Sequence, residues 1–165
     1  MTRVLMILLA LLTLGACRED NPYWDSSNWD MEATAGRMAD LLEEQNRILA
    51  QDGKGNQSLD RMHEELWALL LDEYDTGFEI WVRLRRNPKL VPECCETLSR
   101  HLGPVMLERA GILGKLENSS VDLLRNSAPS DQAWLEFQPR LAQFGAAALL
   151  DRCGHRKGYR QRAWP

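Results

Sequence analysis

Three sulfurs and one imidazole carry the chemistry that stands out in this sequence. Cys94 and Cys95 are neighbours, Cys153 follows nearly 60 residues later, and His155 stands two residues beyond it. A tetrahedral zinc ion accepts three thiolates and one imidazole. Compact zinc motifs, however, space their cysteines by two to four residues, and this pair has no spacer. The competing chemistry is a disulfide, which forms wherever the chain meets an oxidising compartment. Consecutive helical residues point about 100° apart, which argues against Cys94 bonding to Cys95. Cys153 is therefore expected to pair with one of the two. Cys95 is preferred, Cys94 stays open, and the unpaired thiol is assigned to the core. No metal is assigned to the set.

Other constellations are less specific. Asp60-x-x-His63 sets a carboxylate and an imidazole one turn apart, but a di-iron bundle needs a second such motif and inward glutamates. "GILGKL" around Lys115 has a Gly-Lys pair without the earlier glycine and the Ser/Thr of a phosphate loop. Glu64, Glu65, Asp72, Glu73 and Glu79 could supply the carboxylate pair of a glycosidase, yet their helical spacing reads as a solvated face. Neither G-x-S-x-G nor H-E-x-x-H occurs. No catalytic residue, metal ligand or cofactor is assigned.

The fourth cysteine stands in a different setting. Arg3 precedes an apolar run from Val4 to Leu14, which ends in "LLTLGACRED". About a dozen apolar residues fall short of the roughly 20 that span a bilayer as a helix. A basic start, a short apolar middle and small residues at the cut make up a secretory signal. An ordinary signal has no need of a cysteine there. Leu14-Gly15-Ala16-Cys17 resembles the lipobox of bacterial lipoproteins. The resemblance implies that residues 1–16 are removed and that Cys17 is acylated on its thiol and its new amine. Several acyl chains, at about 0.8 kcal/mol per buried methylene, make a firm membrane anchor. The resemblance also implies a periplasm-facing location in the cell envelope. Arg18, where an aspartate favours the inner membrane, leans toward the outer one. In that oxidising space the Cys153 disulfide is expected, and its long loop is worth about 4 kcal/mol.

These groups must be positioned by helices. Residues 17–28 read as the lipidated cysteine and a polar tether containing Pro22. Tyr23, Trp24 and Trp29 near it suit either the membrane interface or the domain's own surface. Residues 29–154 read as one helical domain. Met31, Ala35, Met38, Leu41, Leu42, Ile48 and Leu49 recur with helical period from Asp30 to Gln51, with Ser27 and Asp30 as start signals and Gly53 as the stop. The longest segment runs from Ser58 to about Arg86 and carries Met62, Leu66, Leu70, Tyr74, Phe78 and Trp81, with Gly77 as a weak point. Asn87-Pro88 ends it. Pro92 opens a third helix with Cys94, Cys95, Leu98 and Leu102 on one broad face, and His101 closes it before a break at Gly103-Pro104. A fourth runs from Pro104 to Leu113. Ser119 with Asp122 caps a short one through Leu124. The last carries Trp134, Phe137, Leu141, Phe144, Ala148 and Leu149, is kinked or begun by Pro139, and ends at Gly154. The expected fold is all-α, a single bundle of two longer and three or four shorter helices.

Composition narrows the function. Without its first 17 residues the chain carries a net charge of about −5. Residues 155–165 form a basic tail in which Arg156, Lys157, Arg160 and Arg162 meet no acid, so the body stands near −9. An acidic body excludes nucleic acid as the natural partner. The tail reads as a solvated terminus able to touch an anionic surface. The expectation is a lipid-anchored interaction protein, a subunit or adaptor of an envelope assembly such as a secretion or conjugation apparatus. The alternative is an immunity or exclusion lipoprotein that neutralises a toxin or cell-wall hydrolase. An enzyme acting on cell-wall glycan comes last.

Overall fold

The computed structural model describes residues 29–51, 59–116 and 119–154. The signal segment 1–16, Cys17 and its tether, the stop at Gly53 and the tail 155–165 lie outside the described residues. Within them the chain is an all-α bundle of α1 (Met31–Gln51), α2 (Leu59–Arg86), α3 (Val91–Leu116), α4 (Ser119–Ser127), α5 (Asp131–Phe144) and α6 (Ala146–Cys153). A single 3-10 turn, Pro88–Leu90, joins α2 to α3. No helix among the described residues is long and apolar enough to cross a membrane.

Local chemistry accounts for the ends. Asp30 caps α1: its Oδ1 accepts from the amide of Ala33 at 2.9 Å, and its carbonyl accepts the Thr34 hydroxyl at 2.8 Å. Ser27, the other start signal, lies outside the described residues. Arg83, Arg85 and Arg86 fill the last turn of α2, where cations suit the negative helix end. Ser130 caps α5, its Oγ accepting from Ala133 N at 3.1 Å. Gly154 takes φ 75° to close α6, a left-handed conformation that favours glycine.

Three expectations fail in physically instructive ways. Gly103-Pro104 does not break the chain, because α3 runs on through both. Proline costs the helix one hydrogen bond, but Pro104 is exposed while its neighbours Leu102 and Val105 are buried, so tertiary packing outweighs the loss. The bundle therefore has three long helices rather than two. His101 consequently sits inside a helix rather than at its end. The last helix is instead divided at Gly145, between α5 and α6, while Pro139 stays inside α5. A Cβ at Gly145 would stand 2.7 Å from the Leu141 carbonyl oxygen and 2.9 Å from Glu73 Oε1, so only glycine allows this corner to close on Glu73.

Two apolar clusters form the interior. One joins α1, α3, α6 and the end of α2 through Met38, Leu42, Ile80, Leu84, Leu98, Leu102 and Leu149. The other joins the end of α1 and the first half of α2 to α4 and α5 through Ile48, Leu49, Leu66, Leu70, Leu123, Trp134 and Phe137. Each fully buried leucine is worth about 1.5–3 kcal/mol. Gly77 lies where α2 meets the end of α5, and a Cβ there would overlap the Phe144 carbonyl oxygen. The weak point of the sequence is a close-approach point of the fold.

Candidate functional site

Cys95 and Cys153 are bonded, with their Cα atoms 5.1 Å apart. The bond ties the C-terminus of α6 to the first turn of α3 and takes up two sulfurs of the alternative metal set. Cys94 points the other way, into the first cluster, 1 % exposed, with its Sγ 3.4 Å from Met31 Sδ. Burial, with a smaller contribution from the charge of Glu93, pushes this thiol up to about 12, so it is held as an inert thiol. Among the described residues no group of histidines, cysteines and carboxylates could hold a metal ion; His155 lies outside them.

The carboxylates expected on a solvated face divide. Glu64 and Asp72 are exposed. Glu65 pairs with Arg61 at 3.0 Å, and Glu79 with Arg37 at 3.0 Å and Arg83 at 3.2 Å. Glu73 departs from the expectation: it is 4 % exposed and forms the polar centre of the bundle. Its Oε1 accepts from the backbone amide of Ala146 at 3.0 Å, and its Oε2 accepts from Gln45 Nε2 at 3.0 Å. Ala146 opens α6, whose N-cap Gly145 has no side chain to offer. Glu73 supplies that cap from another helix, placing its charge at the positive end of α6.

Arg109 of α3 completes the centre. Its Nη1 lies 3.7 Å from Glu73 Oε2, its Nε donates to Asn46 Oδ1 at 3.0 Å, and its Nη2 donates to Gln45 Oε1. Asn46 Nδ2 donates in turn to the Val105 carbonyl at 3.0 Å. Burial pulls the guanidinium below its ordinary value, and the charge of Glu73 opposes that pull. Buried charges persist when paired and hydrogen-bonded, and this quartet meets both conditions across α1, α2 and α3.

Among the described residues the surface has hollows beside both polar regions. A cleft of about 370 Å³ lies against the polar centre, with Glu73 and Arg109 in its lining among Leu70, Met106, Leu113, Trp134 and Leu141. A groove of about 490 Å³ lies between α1 and α2, lined by Arg37, Leu41, Asp72, Asp75, Thr76, Phe78 and Glu79. The first can hold an apolar body against two buried charges. The second is open and acidic.

The remaining candidates are dispersed. His63 is half-buried on α2. His101 Nε2 lies 2.6 Å from Glu32 Oε1, and Arg100 reaches Glu32 Oε2 at 2.9 Å, joining α3 to the start of α1. The His101 hydrogen bond, aided by Arg100, holds the Glu32 carboxyl below its usual range. Trp29 belongs to the domain's surface: its Nε1 donates to Thr34 Oγ1 at 3.0 Å and Arg83 lies over its ring at 5.2 Å. Tyr23 and Trp24 lie outside the described residues. A signal for Glu73 was present. The buried positions Leu66, Leu70, Ile80 and Leu84 bracket residues 73 and 77 at steps of three and four, so Glu73 and Gly77 stand in register with the core. Comparison with protein-family models, with curated proteins and with solved structures gives no match to this chain.

Proposed function

We propose that this chain is a lipid-anchored, periplasm-facing interaction protein, a subunit or adaptor of an envelope assembly such as a secretion or conjugation apparatus. Leu14-Gly15-Ala16-Cys17, placed after a short apolar run, supports the anchor. The observation that carries the partner reading is the open groove between α1 and α2. Leu41 and Phe78 give it apolar surface, and Asp72 and Asp75 give it negative charge, while Arg37 and Glu79 pair with each other. Leu71, 38 % exposed, adjoins Asp72. Such a surface suits a basic, partly apolar segment of a partner, since charge steers the encounter and apolar contact holds it. The same acidic groove suits the second reading, an immunity or exclusion lipoprotein covering the basic cleft of a toxin or hydrolase.

A photo-crosslinking residue at position 71 tests the partner. In envelopes it should give a discrete protein adduct that Asp72→Lys with Asp75→Lys abolishes, while the same probe at exposed Leu107 gives none. A ladder of adducts indifferent to the charge reversal would sink the groove as an interface. The identity of the adduct separates the readings: an apparatus component supports the first, a secreted toxin or hydrolase the second. Cys17→Ser should abolish acyl labelling and membrane fractionation; retention of both would end the anchor reading.

A further inference from the structure

We infer that the chain's own basic tail, residues 155–165, docks in the groove between α1 and α2 and competes there with the partner. The inference rests on the reading of this groove as the partner's docking surface. The charges of the two segments match. Asp40, Asp72 and Asp75 are exposed and form no ion pair among the described residues. Asp72 and Asp75 line the groove, and Asp40 stands one turn beyond Arg37 on α1. Arg37 is engaged by Glu79 at 3.0 Å. The tail brings the opposite charge: Arg156, Lys157, Arg160 and Arg162, with no acid among them. It also brings Tyr159 and Trp164, whose rings suit the apolar surface of Leu41 and Phe78 while their polar edges stay wet. Such complementarity steers an encounter and fixes its register.

The fold starts the tail near this groove. Cys153 is bonded to Cys95, and the adjacent Cys94 touches Met31 at 3.4 Å. Side chains of ordinary length therefore put the end of α6 within about 20 Å of the start of α1. From Met31, Arg37 lies about 9 Å and Leu41 about 15 Å along the helix. α1 and α2 run antiparallel, with Arg37 against Glu79 and Gln45 against Glu73, so Leu41 stands level with Asp75. Residues 155–165, fully extended, span at most about 36–40 Å, enough to reach Asp75 even if every one of these steps lay on a single line. Tethering supplies the rest. A segment on a short linker meets its site at an effective concentration in the millimolar range. A contact too weak to hold two separate molecules is then occupied within one.

The test uses the chain from residue 17 onward carrying Cys17→Ser and a photo-crosslinking residue at position 71, one turn before Asp75 on the same stripe of α2. Irradiated in dilute solution, it should join residue 71 to residues 156–164, read by mass spectrometry of the digest, while the probe at Leu107 should not. Asp72→Lys with Asp75→Lys should abolish that link, and Arg160→Glu with Arg162→Glu added to them should restore it. In envelopes, changing Arg156, Lys157, Arg160 and Arg162 to Gln should raise the partner adduct at position 71 by roughly two- to tenfold. The inference is overturned by no link to the tail, by a link that survives the charge reversal, by a link found only between isotopically distinct copies, or by a partner adduct unchanged when the tail is neutralised. A partner adduct without a tail link ends the tail contact and leaves the docking surface standing; a tail link with no partner adduct does the reverse.

Discussion

Leu98 and Leu149 are sealed within the bundle, whereas around Leu70 and Trp134 it opens into a cleft. The closed half is built with Ala35, Ala39 and Ala146 between its leucines, and small residues let helix backbones approach. It is also stapled by Cys95–Cys153. The open half is built from large rings. Trp67 meets Phe137 edge to face at 4.9 Å, and Tyr74 lies 5.9 Å from both Phe137 and Phe144. The quartet of Gln45, Asn46, Glu73 and Arg109 stands at the boundary, hydrogen-bonded to Val105 and Ala146 of the closed half and to Leu69 of the open one. The difference is one of construction: the stapled half fixes α6, and the fixed α6 presents the amide that orients Glu73 at the cleft.

Breaking the staple is the most drastic way to test that division. Cys95→Ser with Cys153→Ser should cost about 4 kcal/mol by loop entropy, read as a lower urea midpoint with both transitions still cooperative. A loss below about 1 kcal/mol would mean that α6 is held without it. Glu73→Gln should cost about 3 kcal/mol, because it leaves the Arg109 guanidinium buried without its counter-charge. Glu73→Leu with Arg109→Met should recover much of that loss, since paired apolar replacements are tolerated where single ones are not.

Matched leucine truncations sharpen the contrast. Leu149 is 0 % exposed in the closed half, so Leu149→Ala should cost about 3 kcal/mol. Leu141 is only half-buried and lines the cleft, so Leu141→Ala should cost about 1 kcal/mol, since it enlarges a space already open to water. Equal losses would erase the distinction. Cys94 belongs to the closed half, and its thiol is pushed up to about 12. It should resist alkylation at pH 8 in the folded protein and react once urea unfolds it. A folded thiol that binds its proton more tightly than the unfolded one contributes stability below the ordinary thiol range. That contribution is lost as the pH climbs toward 12.

The smallest effect concerns Glu32, whose carboxyl is held low by His101 and Arg100. A depressed carboxylate contributes stability above its unfolded pKa and loses it as the pH falls through the folded value. The stability gap between wild type and Glu32→Gln should therefore be present at neutral pH and close in acid. It should shrink at high salt, because these groups are exposed.

Much of the helical skeleton was legible before any coordinates. Period and punctuation locate α1 and α2 to within a residue, because Asp30 and Asn87-Pro88 act on their immediate neighbours. The same local reading failed at Pro104 and at Gly145. In the first case distant packing of Leu102 and Val105 overrode a local breaker. In the second a glycine with no special dihedral turned the chain because another helix's carboxylate needed the space. Glu73 was misread for the same reason. An acid among acids on a helix looks solvated until the partner that neutralises it is known, and that partner, Arg109, lies 36 positions away in the chain.

The sequence by itself determined the all-α class and the bounds of α1 and α2, since each depends on residues within a few positions of one another. Only the tertiary structure decided that Glu73 is buried, that Arg109 and Gln45 meet it, and that a cleft adjoins them. The cost of burying a charge is offset by groups brought together across three helices, and no short window of sequence contains all of them.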